Sequence, residues 1–498
     1  YCIVMKPFLD VEKNRVRYHK STKTNTVHRS SLIVPRFHQA VSNISFLNHF
    51  FLKRNNRDVV LKITAINDNG ILEDSISFEI NEPIVYSLDL ENLFNKSSKI
   101  KEYLVEFYSD KNLFIPFPAV MINHKGNDFI NTVHSFNRVL NDVFEDDKVN
   151  LQKVFESSID VEIDKDYDTF FNFASGPFKV RNNLHLTLIR QEKKNYKIPI
   201  EISRLSNKNI FVSNFYKKYI NSKTLLKVLQ PEQSLFYGRL LTGRINKKTK
   251  SFSANHSYYD SSSTKEYFKN NVSMRTYPFF NNCLNQIVMY PIMSPSLLDV
   301  FIEIYSDNKT FKSDLKKIRS PSNNPILFNI NEIVKKSGFD NVNLFKVVAQ
   351  TSSGKIPTRV NHQLIYGKND TSSKLYSSIN LSLLNENIFI PPKKTGLTWG
   401  QVLVNKSYES RLGICFMNNT GASDIVTIDF YSKSGLFKSI KYNLDPNHSL
   451  IFDSVFFKKI KAPNEFIWYF AKSKRADLQA DSFHYHKKSG NASGEHSF

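Results

Sequence analysis

Neutral histidine nitrogens are the commonest protein ligands for metal ions, and the imidazole pKa lies closest to neutrality of any side chain. This chain sets histidines in pairs about ten residues apart: "HKSTKTNTVH" at 19–28, "HKGNDFINTVH" at 124–134 and "HKKSGNASGEH" at 486–496. Across a hairpin, two imidazoles at that spacing could face one ion. His124 with His134 is one candidate metal pair. "HYHKKSGNASGEH" is a fuller set, because His484, His486, Glu495 and His496 offer four donors, enough for zinc or another borderline metal. The plainer reading is that these rings hydrogen-bond at strand ends, since other stretches of the same kind carry a single histidine, His256 or His362.

Two further groups of residues have chemistry in them. "DKDYD" (Asp164, Asp166, Asp168) has the spacing that opens a calcium loop, but an EF-hand would need Gly at 169 and Glu at 175, where the chain has Thr169 and Ser175. A looser calcium site remains open, with Glu145, Asp146 and Asp147 nearby, but the plainer reading is a solvated acidic loop; no cofactor is fixed by the sequence, and a divalent metal, zinc or calcium, is the one it leaves open. For sugar stacking the candidates are Trp399, set between Gly396 and Gly400 in "TGLTWGQ" and read as exposed, together with Tyr258 and Tyr259. Trp468 in "FIWYFA" reads as core.

Motifs for the common catalytic chemistries do not occur. "TSSGKIPT" has Ala349 and Ile356 where a phosphate loop needs Gly and Ser or Thr, and there is no GxSxG, HExxH or dinucleotide fingerprint. The three cysteines, Cys2, Cys283 and Cys415, are too few and too scattered for a disulfide framework, and the last two sit in apolar strand contexts.

The elements that must position these residues repeat along the chain. "DVVLKIT" (58–64), "NLHLTLI" (183–189), "DVFIEIY" (299–305) and "DIVTIDF" (424–430) each alternate apolar and other residues with period two, the mark of a half-buried strand. From 58 to 299 and from 183 to 424 the step is 241 residues both times. A second set, "YSLDLENLF", "IFVSNFYKKY", "ILFNINEIVKK" and "LIFDSVFFKKI", runs a strand into Asp89, Ser213, Asn329 or Asp453. These read as N-caps of one helical turn.

Units of about 105–125 residues with this rhythm resemble immunoglobulin-like domains, without their Cys…Trp…Cys pattern. The expected fold is all-β: tandem immunoglobulin-like antiparallel β-sandwich repeats, four units in two duplicated pairs, one short helical turn per unit. The boundaries are 31–140, 150–262, 270–380 and 384–498. Residues 1–30 read as the tail of a preceding truncated unit, with His124, His256, His362 and His484 or His486 placed alike at the unit tails.

Composition limits what such an array could do. A chain of 498 residues is long enough for several cores, and 41% hydrophobic content excludes global disorder. No run of eighteen apolar residues occurs, so no transmembrane segment is expected. The net charge of +22 would suit nucleic acid, but the lysines are spread along the whole length, so nucleic acid is disfavoured against a glycan or acidic surface, with a protein partner also open. Starting at Tyr1, the chain reads as lacking its true N-terminus, and a cell-surface or secreted location is favoured. The functional expectation is a non-enzymatic binding or structural repeat protein presenting surface to glycans or acidic surfaces. The alternative is a metal-dependent enzyme or metal-binding protein using the tail histidines.

Overall fold

A computed structural model describes residues 6–7, 28–94, 99–109, 118–139, 156–189, 194–217, 220–257, 266–290, 297–306, 309–318, 325–385, 395–418 and 421–498. The fold is all-β, 61% strand and 7% helical. The chain divides into two compact units, residues 12–259 and residues 1–11 with 260–498.

In the 12–259 unit the alternating segments become paired antiparallel sheets. One sheet places His28–Pro35, Ile100–Ser109, Val59–Asn67 and Leu72–Glu79 side by side. Its partner holds Val85–Asp89, Val41–Leu47, Met121–Lys125 and Ile130–His134. The same order recurs in the second half. There Glu156–Ile163, Ile220–Leu229, Val180–Ile189 and Lys194–Ile202 form one sheet, and Asn207–Phe211, Tyr167–Ala174, Leu241–Asn246 and Phe252–His256 the other. Among the described residues each sheet pair has eight to ten strands, more than the six or seven that the pattern suggested, because edge strands such as Leu72–Glu79 are largely solvent-facing and carry little apolar alternation. The period-two reading is visible in burial: Leu184, Leu186 and Leu188 are interior while His185 between them is exposed.

The unit of residues 1–11 and 260–498 repeats that strand order twice more, with Leu298–Ser306 and Asp424–Ser432 in the place of Val59–Asn67. The four aligned stretches therefore occupy one position in four sheets. Lys6–Pro7 adds a short parallel pairing with Glu266–Phe268; residues 8–27, which carry the first histidine pair but for His28, lie outside the described residues.

Helical turns stand where the cap residues suggested, with differences at the caps themselves. Asp453 accepts a hydrogen bond from Phe456 N at 2.9 Å ahead of Ser454–Lys459. Asp89 and Asn329 precede Leu90–Leu93 and Ile330–Ser337 without a side-chain cap bond. Asp89 instead accepts from Asn43 and pairs with Lys125. Ser213 lies inside the turn Val212–Asn214 rather than before it. A further helix, His49–Arg54, is capped by Asn48 and was hidden in an apolar run.

Neighbouring sheet pairs within a unit are joined by apolar contacts. In the 12–259 unit Ile33, Ile66, Leu104 and Val139 pack against Ala174, Leu205 and Phe236. In the other unit Phe483 stacks on Tyr366 and meets Phe280 edge-on, each at 5.1 Å. Beside them Gly413 approaches Pro278 so closely that a Cβ there would lie 2.3 Å from the proline Cβ. Cys283 and Cys415 are buried and free, and burial raises both thiols.

Two outcomes follow from this packing. Far-UV circular dichroism is expected to show a strand-dominated spectrum with helix far below the roughly one-third of average globular proteins. Gly413→Ala is expected to cost about 1–3 kcal/mol by overpacking, read as a lowered Tm, because backbone on one side and a proline ring on the other cannot both yield.

Candidate binding cleft

A cleft of about 560 Å³ opens within the 12–259 unit, between its two sheet pairs. The turn after His28–Pro35 brings Arg36, Phe37, His38 and Gln39 to it, and the strand Ile100–Ser109 brings Lys101 and Glu102. From the other side the paired strands Tyr167–Ala174 and Asn207–Phe211 supply Asp168, Phe170, Asn207, Asn209 and Phe211. Because side chains alternate along a strand, Asn207, Asn209 and Phe211 emerge on one face, as do Asp168 and Phe170.

The floor is aromatic and continues into the interior. Phe37 lies 6.2 Å from Phe170 and 4.7 Å from Phe252, and Phe170 lies 6.1 Å from Phe211. Polar groups surround it in a fixed network. Asn172 Nδ2 donates to Asn207 Oδ1 at 2.6 Å and to Asn209 Oδ1 at 2.7 Å. Asp168 accepts from the backbone N–H and the hydroxyl of Ser213. Lys101 stands 3.8 Å from Asp68, and Lys247 Nζ reaches Asp164 O at 2.5 Å.

Glu102 is the most perturbed group of the cleft. It is 1% exposed and bonded by Ser206 Oγ at 2.5 Å and by Asn207 Nδ2. Burial pushes its carboxyl up to about 8 against the opposing pull of those two bonds. Titratable groups perturbed by burial and gathered in a cleft mark candidate functional sites. In the other unit the residue in the same ladder position is Leu344: Pro35 is paired with Glu102 where Pro278 is paired with Leu344. The buried carboxyl thus belongs to one copy of the pattern.

The histidines singled out by spacing fall differently. In the hairpin of Met121–Lys125 and Ile130–His134, His134 is paired with Met121, three residues from His124, so the two rings point to opposite faces. His124 is fully buried against Phe37, 4.8 Å away, its Nε2 3.0 Å from Pro35 O, and burial lowers it to about 4. At the chain end His496 is paired with Asp481, again opposite in face to His484 and His486. His484 and His486 instead bracket the Tyr408 ring at 5.6 and 5.2 Å, and His486 Nδ1 holds the turn at Ser489. His496 Nδ1 lies 2.7 Å from Ser497 O, and Nε2 3.6 Å from Glu495 Oε1.

Nor are the unit-tail histidines equivalent. His124 and His484 sit at one register position in the penultimate strand of their pairs, where the third pair has Tyr366 with His362 four residues nearer the strand's start, and His256 stands at the end of the last strand. His362 meets the Tyr277 hydroxyl and is lowered by burial to about 3. The feature that does recur is His-Ser-aromatic: "HSF" at 134–136, "HSY" at 256–258 and "HSF" at 496–498.

Trp399 is buried rather than exposed, 7% accessible and stacked near Phe470 and Phe498, because its strand Gly396–Leu403 lies against Phe466–Ser473. Tyr258, Tyr259, Glu145, Asp146 and Asp147 lie outside the described residues. Of the acidic triplet, Asp164 accepts from the N–H groups of Asp166 and Tyr167 in its own turn, and only Asp168 reaches the cleft.

No protein-family model matches this sequence, and no curated protein matches it. Among solved structures, a calcium-binding mutant of Bacteroides uniformis beta-glucuronidase 2 aligns at 12% identity and TM-score 0.12, over 47% of this chain and 26% of that one. Dimeric latent PorU from Porphyromonas gingivalis aligns at 10% identity and TM-score 0.12, over 87% of this chain and 40% of that one. The chain thus spans well under half the length of either.

Glu102 gives the cleft a pH signature. The folded carboxyl keeps its proton to about pH 8, whereas the unfolded one ionises from about 4.5. Folding holds the extra proton between those values, so this group's contribution to stability falls as pH rises through that window and is flat above it. Glu102→Gln is expected to remove the slope: by chemical denaturation the variant gains on the wild type up to about 5 kcal/mol by pH 8.5, and the gain vanishes below pH 4.5.

Proposed function

We propose that this chain is a non-enzymatic binding protein of tandem immunoglobulin-like sandwiches, two duplicated pairs, which takes a glycan in the cleft of residues 12–259. The observation that carries this reading is the pairing of an aromatic floor with fixed amide and carboxyl groups around it. Sugar rings present apolar C–H faces and a rim of hydroxyls, each of which both donates and accepts. Phe37 and Phe211 suit the faces. Asn207, Asn209, Asp168 and a protonated Glu102 suit the hydroxyls. The volume of about 560 Å³ falls in the range of small-molecule sites, room for one or two sugar residues of a longer chain.

The lysines support the same reading at a distance. Lys101, Lys247 and Lys250 stand at the cleft within a chain of net charge +22, which favours glycans carrying acidic groups over neutral ones. A cell-surface or secreted setting is the natural one for such a ligand. No helix among the described residues is long and apolar enough to cross a membrane.

A glycan array followed by calorimetric titration tests this. Retention of at least one uronic-acid-bearing oligosaccharide is expected, weakened at least tenfold by Asn209→Ala at an exposed position of the cleft. Indifference to every glycan, or full affinity in the variant and in Phe211→Ala alike, would remove the proposal.

A further inference from the structure

A second constellation in the 12–259 unit lies apart from the cleft. The last strands of the two sheet pairs, Ile130–His134 and Phe252–His256, run beside each other, and Asn131 Oδ1 accepts from Ala254 N at 2.6 Å between them. Both end in histidine. The two rings, 9% and 0% exposed, stand 4.4 Å apart between centroids at 51°.

Each ring is held in the same way. His134 Nδ1 lies 2.7 Å from Ser135 O, and His256 Nδ1 lies 2.9 Å from Ser257 O. A carbonyl oxygen only accepts, so each of these contacts favours the hydrogen on Nδ1 and the lone pair on Nε2, while at His256 the Arg239 guanidinium, a donor 3.3 Å from the same Nδ1, competes for that position. An Nδ1–H held by a backbone carbonyl is the arrangement that orients metal-bound histidines and raises the basicity of the ligating nitrogen. One nitrogen of each ring lies within 4.8 Å of one nitrogen of the other. Two nitrogens each about 2.0–2.1 Å from one zinc are roughly 3.3 Å apart, so small rotations of the rings would close the pair on an ion.

From this geometry we infer that His134 and His256 bind a borderline divalent cation, Zn²⁺ or Cu²⁺, through their Nε2 atoms. The repeated His-Ser-aromatic sequence supplies both ligands, and duplication explains why they present themselves alike. Arg239, whose Nη1 stands 3.3 Å from His256 Nδ1, repels the cation. The expected affinity is therefore micromolar rather than that of a closed four-ligand zinc site.

The test uses the full chain without a histidine tag, stripped with a chelator and titrated with ZnCl₂ and with CuCl₂. Binding at about 1–10 µM is expected. It should weaken at least tenfold in His134→Ala and in His256→Ala, and stay unchanged in His486→Ala. X-ray absorption fine structure on the zinc-loaded wild type, which needs no variant to fold, is expected to show at least two imidazoles on the ion. No binding tighter than about 100 µM, undiminished affinity in both variants, or an ion with fewer than two imidazoles would each overturn the inference.

Discussion

Phe252 is where the two sheet pairs of residues 12–259 meet. Its ring lies 4.7 Å from Phe37, 4.9 Å from Phe129 and 5.7 Å from His124 in the first pair, and 5.9 Å from Phe170 in its own. A sheet buries only one face against its partner, so a second apolar surface is needed before two sandwiches act as one body. The aromatic group provides that surface on one side, and Phe236 and Leu205 with Ile33, Ile66 and Leu104 provide it on the other. Tight contacts among large rings contribute beyond the area they remove from water.

Both candidate sites depend on that contact. Phe37 and Phe170 are at once members of the group around Phe252 and the floor of the cleft, so the cleft exists only while the pairs stay in register. The strand that starts at Phe252 ends at His256, and its alignment beside Ile130–His134 is what brings the imidazoles together. The other unit solves the same packing problem with Phe483, Phe280, Tyr366 and Gly413, and puts Leu344 where the cleft has Glu102. One strand order thus serves two purposes: packing alone in one place, and packing with a polar cleft in the other.

Much of the strand order was legible because half-buried strands must alternate, and the 241-residue step carried each alternating stretch to the same sheet position. Helical turns were legible from Asp453 and its neighbours, although Asp89 proved to be engaged by Lys125 and Asn43 instead. What the spacing of histidines could not reveal was parity. Whether two hairpin residues share a face depends on the register set by the turn, and the pairing of Met121 with His134 put His124 on the other side. The cleft was invisible for a different reason: Glu102, Asp168 and Asn207 are far apart in sequence and carry no local pattern. The "HSF" and "HSY" endings are a repeated triplet in the sequence, and the ten-residue histidine spacing is a separate pattern that shares only its last histidine with them.

Hydrogen exchange with mass spectrometry on the full chain carrying Phe252→Ala tests the central claim most directly. The substitution is expected to cost about 3–5 kcal/mol. If Phe252 joins the two sheet pairs, peptides covering 28–47 and 121–134 lose protection together with those covering 167–174 and 252–256. Loss confined to the second pair, with the first unchanged, would show two sandwiches that merely touch and would contradict the dependence of the cleft on their contact.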